Sequence, residues 1–220
     1  MNRNPLENHT ARRILIVACA VVLGAAFGLS LPEAAHADHV TPPRVPSTIQ
    51  VPVGAKAFLE GHAVGTQNYI CLPSASGFAW TLFGPQATLF KDNGGQIITH
   101  FLSPNPDENG IARATWQHSK DTSTIWAVAI APSSDPKFVA PGAIPWLLLR
   151  VVGDQPGPSG SDQLLETTHI HRLNTSGGVA PSTGCSRAAD VGTKALVYYT
   201  AKYVFYKGGL SDAEDAPTGS

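Results

Sequence analysis

Charged side chains are scarce in this sequence. Asp, Glu, Lys and Arg make up 14% of the 220 residues, and the formal net charge is −1, whereas globular proteins carry roughly 25% charged residues. This composition excludes nucleic-acid binding through a basic surface. It also excludes intrinsic disorder, which requires low hydrophobicity and high net charge, because 43% of the residues are hydrophobic.

Several catalytic and cofactor-binding motifs are absent as well. The sequence contains no G-x-G-x-x-G, no G-x-x-x-x-G-K-[ST], no H-E-x-x-H and no G-x-S-x-G. Nucleotide-dependent chemistry and the common mechanisms of secreted hydrolases therefore have no support in the sequence. No cofactor is predicted from the motifs.

The first 37 residues have the pattern of a secretory signal peptide. Three arginines precede an uncharged apolar run over residues 14–31, and residues 35–37 read Ala-His-Ala, an A-x-A cleavage site. We predict cleavage after Ala37, export to the periplasm or the extracellular space, and no membrane span in the mature chain. The alternative is a retained anchor, because an apolar run of this length can just cross a bilayer.

Cysteine is rare, with 3 residues in the whole chain. Cys19 lies in the leader, so Cys71 and Cys185 remain as an even pair in an oxidising compartment. The alternatives are two free thiols or a metal site, but metal-binding cysteines usually lie close together, as in C-x-x-C. The sequence predicts a Cys71–Cys185 disulfide.

After the leader, a Pro-rich arm over residues 38–48 precedes one domain over residues 49–207, and residues 208–220 are predicted to be a disordered tail. Apolar and polar residues alternate in short segments between turn residues, which predicts strands. The predicted strands cover residues 49–53, 56–62, 66–72, 78–83, 87–90, 96–102, 112–119, 124–131, 144–152, 164–173 and 194–207.

The fold class follows from this spacing. The best helical segment, residues 188–191, is too short to build a βαβ unit, and the chain holds 21 Gly and 18 Pro. We predict an all-β fold, a single antiparallel β-sandwich or barrel-like domain with Pro/Gly-rich loops. The sequence does not choose between sandwich and barrel.

His169 and His171 form a candidate metal site. Alternate residues of a strand point to the same face, so the two imidazoles can share one metal ion. The third ligand would come from one of four other residues: His62, His100, His118 or Glu166. The alternative is that both histidines are polar residues on the solvent-facing side of a half-buried strand.

The same segments resemble the DUF3455 family, exported proteins of bacteria and fungi without an assigned function. The matching pieces are residues 65–71 (GTQNYIC), His100-Phe101 with Trp116 downstream, and residues 144–149, 172–185 and 199–206. The resemblance implies an all-β domain behind a leader. The family pattern usually has Gln where His171 stands, which counts against a two-histidine metal site.

We therefore predict a non-catalytic exported domain that binds a small molecule, a glycan or an envelope component. Six residues are the candidate ligand contacts: Gln67, Tyr69, His100, Trp116, Arg172 and Asn174. Gln67, Arg172 and Asn174 would hydrogen-bond, and Tyr69 and Trp116 would stack. The alternative is a metal-assisted enzyme in which a divalent ion bound by His169 and His171, with His100 or His118, activates water. The sequence makes no prediction of the oligomeric state.

Overall fold

The computed structural model describes residues 40–209. The predictions for the leader, for the first residues of the arm and for the tail beyond residue 209 lie outside this part of the chain. Residues 40–209 contain eight strands and three single-turn 3₁₀ helices, Ser47–Ile49, Pro106–Glu108 and Ala188–Asp190. No helix among them is long and apolar enough to cross a membrane.

The strands are β1 (Lys56–Ser74), β2 (Gly77–Phe90), β3 (Gln96–Asn105), β4 (Ile111–His118), β5 (Thr124–Ser133), β6 (Trp146–Gln155), β7 (His169–Gly177) and β8 (Lys194–Lys207). Each strand pairs antiparallel with the next one in the chain, and β1 pairs with β8 to close a barrel. The all-β prediction is confirmed, and the architecture is the barrel. Closure gives every strand a hydrogen-bonded neighbour on each side, so the sheet has no edge strand.

Two pairs of predicted strands are single long strands in the structure. The segments 56–62 and 66–72 merge into β1, and 78–83 and 87–90 merge into β2. Gly65 lies in the first of these junctions, where a Cβ would overlap the Gln86 carbonyl oxygen on β2. The small residue is therefore required by close strand contact rather than by a turn. The predicted strand at residues 49–53 was wrong, because only Ser47–Ile49 is regular there and it is a 3₁₀ turn.

Side chains on the inner face of the barrel form the main core. Alternate residues of the strands point inward, and the largest of those that are fully buried are Trp116, Tyr199, Tyr203, Phe205 and Ile98. Several of their neighbours are small: Ala63, Ala87, Ala127 and Ala201. Large aromatic rings opposite small side chains fill part of the interior and leave part of it open.

A second core lies on the outer face of β6, β7 and β8. It consists of Ile49, Val139, Trp146, Leu148, Leu173, Val204 and Tyr206, with residues of the N-terminal segment packed against them. His171 joins this segment to the barrel. Its Nε2 donates to the Ile49 carbonyl at 2.6 Å, and its Nδ1 accepts from the Tyr206 hydroxyl at 2.9 Å. Both ring nitrogens are thus used in a neutral imidazole.

The structure contains the predicted disulfide. Cys71, in β1, is bonded to Cys185, and the two Cα atoms are 5.5 Å apart. The bond closes a loop with a sequence separation of 114 residues. It attaches the segment between β7 and β8 to the far end of β1.

We expect His171→Ala to lower the free energy of unfolding by about 2 kcal/mol, because it leaves the buried Ile49 carbonyl without its donor. Urea denaturation of the variant and the wild type measures this difference. Tyr206→Phe is the matched control. It removes only the second hydrogen bond and should cost about 1 kcal/mol. Equal losses in the two variants would contradict the role assigned to the Ile49 contact.

Candidate functional site

A cavity of about 280 Å³ lies inside the barrel, and we call it the lumen. All eight strands contribute residues to its wall. Most of the wall is apolar and much of it is small: Gly84, Ala112, Ala114, Ala127 and Ala129, with Leu82, Phe83, Leu102, Leu147 and Leu149. The lumen exists because alanine and glycine occupy inward positions that larger residues would fill.

Four of the six predicted ligand contacts line the lumen: Gln67, His100, Trp116 and Arg172. They come from β1, β3, β4 and β7, so they are distant in sequence and meet only through the barrel. The other two, Tyr69 and Asn174, are not in the wall. The structure thus brings together the larger part of the predicted set.

Different causes place the two residues that lie elsewhere. Tyr69 keeps the same face of β1 as Gln67, because the bulge at this point inserts Phe83 into β2 and leaves β1 regular. Its hydroxyl donates to the Gly178 carbonyl at 2.7 Å. The register of β7 shifts after Leu173, where Asn174 adopts a φ of 50° and is exposed. A bulge changes the face to which the following residues point. Strict alternation therefore assigned Asn174 to the wrong face, whereas Tyr69 is on the predicted face but is bonded outside the lumen.

His100 and Trp116 stack in the lumen with their ring centroids 4.2 Å apart, and Tyr203 meets both rings edge-on. His100 Nδ1 donates to the Thr115 carbonyl at 2.8 Å, which leaves Nε2 as the unprotonated nitrogen. Burial lowers the pKa of His100 to about 3, and the positive charge of Arg172 acts in the same direction. The imidazole is consequently neutral at physiological pH.

Arg172 is half-buried in the wall of the lumen. Its NH2 and Nε groups donate to the Pro145 carbonyl at 2.9 and 3.3 Å. No carboxylate forms an ion pair with it in the part of the chain that the structure describes. Arg113, also in the wall, differs in that both oxygens of Glu108 accept from it at 2.7 Å.

Two buried donors in the wall of the lumen have no acceptor. Gln67 Nε2 and Trp116 Nε1 are inaccessible to solvent and lack a hydrogen-bond partner within residues 40–209. The Gln67 amide lies beside the Tyr199 hydroxyl, but no bond of standard geometry satisfies it. Buried polar groups are nearly always hydrogen-bonded, so unpaired ones need an explanation. Because both nitrogens are closed off from the lumen as well as from bulk solvent, a ligand could reach them only after the neighbouring side chains move.

The predicted metal ligands are separated. His169 contacts Thr168 Oγ1 at 3.1 Å, His171 is engaged under the N-terminal segment, and His100 lies in the lumen. His118 Nδ1 lies 3.0 Å from Asp121 Oδ1. No three of these histidines bring ring nitrogens together in the described residues.

One other group of residues between 40 and 209 has the spacing of a metal site: Glu60, His62 and Asp92. It lies on the outside of the barrel, and its groups already have partners. His62 Nε2 is 2.7 Å from Asp92 Oδ1, and the Lys202 ammonium pairs with Glu60 at 2.9 Å. These three residues therefore form ion pairs on the outer surface of the barrel and do not line the lumen.

The sequence interpretation missed Tyr203 and the apolar wall. Tyr203 was not among the predicted contacts, although it shares its face of β8 with the inward residues Ala201 and Phe205. Leu102 follows His100 by two positions on β3 and therefore shares its face. Alternation could have added both residues to the predicted site.

Comparison with known proteins yields one family. The model of a family described as "Protein of unknown function (DUF3455)" matches residues 52–207, well over half of the chain. No curated protein and no solved structure gives a significant match. The resemblance identified on the sequence motifs is confirmed.

Proposed function

The chain belongs to the DUF3455 family, and because the description of that family assigns no function, we propose one from the lumen: non-catalytic binding of a small, largely apolar molecule. The observation that carries this proposal is the cavity of about 280 Å³ to which all eight strands contribute. This volume is close to the lower end of ligand pockets, about 300 Å³. An apolar wall with a few convergent polar groups is the usual composition of such pockets.

The composition of the wall favours a small molecule over a glycan. Leu82, Phe83 and Leu102 are 49%, 38% and 41% exposed and stand where the lumen reaches the surface. Apolar side chains at the entrance favour a ligand with an apolar body, because burying that body removes apolar surface area from water. Glycan sites commonly stack sugars on exposed aromatic rings, but most Trp and Tyr residues of the strands are buried, among them Trp116, Trp126, Trp146, Tyr199, Tyr203 and Tyr206.

The state of His100 supports binding rather than catalysis. The pKa of this residue, lowered to about 3 by burial, is far from the operating pH at which a general base works best. Its Nδ1 is already bonded to a backbone carbonyl. We assign His100 a packing and hydrogen-bonding role in the wall of the lumen.

We also propose that the protein is exported and acts in the periplasm or the extracellular space. The Cys71–Cys185 disulfide is compatible with an exported protein, since such bonds persist in oxidising compartments. The signal-peptide pattern of residues 1–37 is the second support. Intact-mass measurement of the exported protein tests this, with a mature N-terminus at Asp38 as the expected result.

Ala114→Phe tests the proposed function, because the new ring would occupy space in the lumen. The probes are 3-phenylpropanol and 3-phenylpropanoate, which share one apolar body. We expect at least one of them to raise the melting temperature of the wild type in proportion to its concentration. The shift should fall at least threefold in Ala114→Phe.

Ala79→Phe is the matched control, since Ala79 is an exposed residue of β2 outside the lumen wall. It should respond to the probes as the wild type does. If neither probe shifts the wild-type melting temperature, the lumen is not a ligand site. An equal shift in Ala114→Phe would place the binding outside the lumen and reject the proposal as well.

A further inference from the structure

The two arginines of the lumen wall differ in their charge partners. Arg113 is neutralised by a two-oxygen ion pair with Glu108. Arg172 has no acidic partner among residues 40–209. Its Nε and Nη2 groups both donate to the Pro145 carbonyl, and its side chain also contacts the Tyr203 hydroxyl. A guanidinium has five N–H donors. Arg172 therefore holds a positive charge and spare donors in the wall of the cavity.

The polar groups that share the lumen with Arg172 are short of acceptors. Gln67 Nε2 and Trp116 Nε1 are buried donors without partners. The Tyr203 hydroxyl interacts with the Arg172 side chain, and burial raises the pKa of Tyr203, so this hydroxyl stays protonated. The group that a ligand can reach is therefore Arg172, whose spare donors and positive charge would both be satisfied by one negatively charged acceptor group.

No other lumen residue cancels the charge of Arg172. His100 is neutral, and Arg113 and Glu108 compensate each other. The charge of Arg172 reaches across the lumen, since it opposes protonation of His100. The protein around Arg172 has a lower dielectric constant than water, so this charge attracts an anion more strongly than the same charge would in bulk water.

We infer that the lumen selects small carboxylates: molecules with one carboxylate that binds Arg172 and an apolar body that lies along the leucine-rich wall. A planar carboxylate matches the fork of a guanidinium, and its two oxygens offer about four acceptor sites for the neighbouring donors. The inference rests on the proposed function, because it names the ligand class of the same cavity.

Calorimetric titration with 3-phenylpropanoate and 3-phenylpropanol tests the inference. The two probes differ chiefly in the charged group. We expect the acid to bind the wild type about tenfold or more tightly than the alcohol. In Arg172→Gln this preference should disappear while the alcohol affinity stays within about twofold. Arg172→Lys, which keeps the charge but not the planar fork, should retain part of the preference.

Arg150→Gln is the matched control, because Arg150 is an exposed cation of β6 outside the lumen wall. It should keep the wild-type preference for the acid. Raising the NaCl concentration provides a second measurement on the wild type alone, and it should weaken binding of the acid but not of the alcohol. This measurement applies even if Arg172→Gln does not fold.

The outcomes separate the two proposals. If both probes bind with equal affinity and equal salt dependence, the carboxylate inference is overturned and the lumen remains a binding site. A preference for the acid that persists in Arg172→Gln also overturns it. If neither probe binds, the proposed function fails, and the inference fails with it.

Discussion

Replacing both Cys71 and Cys185 by alanine is expected to lower the free energy of unfolding by about 4–5 kcal/mol. The disulfide spans a sequence separation of 114 residues. In the chain-entropy model, a cross-link over a loop of this size removes that much conformational freedom from the unfolded chain. Urea denaturation of the oxidised wild type and the double variant measures the difference.

The native contacts around the disulfide should survive its removal. Cys71 N donates to the Thr193 carbonyl at 2.9 Å, and Gly192 N donates to the Cys71 carbonyl at 3.0 Å. The Trp80 indole also donates to the Thr183 carbonyl, at 2.9 Å. These bonds hold the segment between β7 and β8 against the barrel without the sulfur atoms. The expected loss therefore arises mainly in the unfolded state.

Two controls accompany the cysteine variants. The wild type treated with a reductant should match the double variant, since both lack the cross-link. Trp80→Phe removes one hydrogen bond from the same segment and should cost about 1 kcal/mol. A double variant that loses less than about 1 kcal/mol would show that the disulfide adds little to the stability of the barrel.

Local signals in the sequence predicted much of the fold. The strand at residues 194–207 was predicted with the bounds of β8, because its aromatic and aliphatic residues alternate over the whole length. The predicted strands at 87–90 and 96–102, and at 112–119 and 124–131, fall on the antiparallel pairs β2–β3 and β4–β5. Cysteine counting identified the disulfide because only two cysteines lie beyond the leader.

Closure of the barrel was beyond the reach of the same signals. It depends on pairing between β1 and β8, with Gly65 opposite Tyr199, a contact that no local pattern encodes. Sandwiches and barrels use the same alternating strands, so the sequence left the choice open. The contact of His171 with Ile49 is also non-local. His171 was predicted as a metal ligand, but its ring instead hydrogen-bonds to the N-terminal segment.

The candidate site was predicted only in part by regular alternation. Tyr69 shares the face of Gln67 on β1, but it lies beyond the lumen wall and donates to the Gly178 carbonyl. Asn174 is turned away from the face of Arg172 by the bulge of β7. A bulge depends on how a strand fits its neighbours in the closed barrel. The sequence of one strand alone therefore does not show where a bulge will form.

Acidification is expected to destabilise the barrel through its buried histidines. Burial lowers the pKa of His100 to about 3 in the folded state, from 6.5 in the unfolded chain. Below pH 6.5 the unfolded chain therefore binds a proton that the folded barrel excludes, and stability falls as the pH falls. His100 alone should cost about 2 kcal/mol between pH 7 and pH 5, and about 4 kcal/mol by pH 3.

Between pH 7 and pH 5, the change in stability comes mainly from the histidines rather than from the carboxylates. Burial also lowers the pKa of His169 and of His171, so both add to the loss in the same direction. The pKa of Glu108 is lowered by its hydrogen bonds from Arg113 and Asn105. A carboxylate of this kind loses its contribution only as the pH falls below its unfolded value, near 4.3. Measurements above pH 5 therefore report mainly on the imidazoles.

His100→Asn tests the contribution of His100 to the loss of stability at low pH. The asparagine amide can donate to the Thr115 carbonyl as His100 Nδ1 does, but it does not titrate. The variant should be less stable than the wild type at pH 7, because it loses the stack on Trp116. Its stability should nevertheless fall about 2 kcal/mol less between pH 7 and pH 5. A His100→Asn slope equal to that of the wild type would mean that His100 is protonated without cost in the folded lumen.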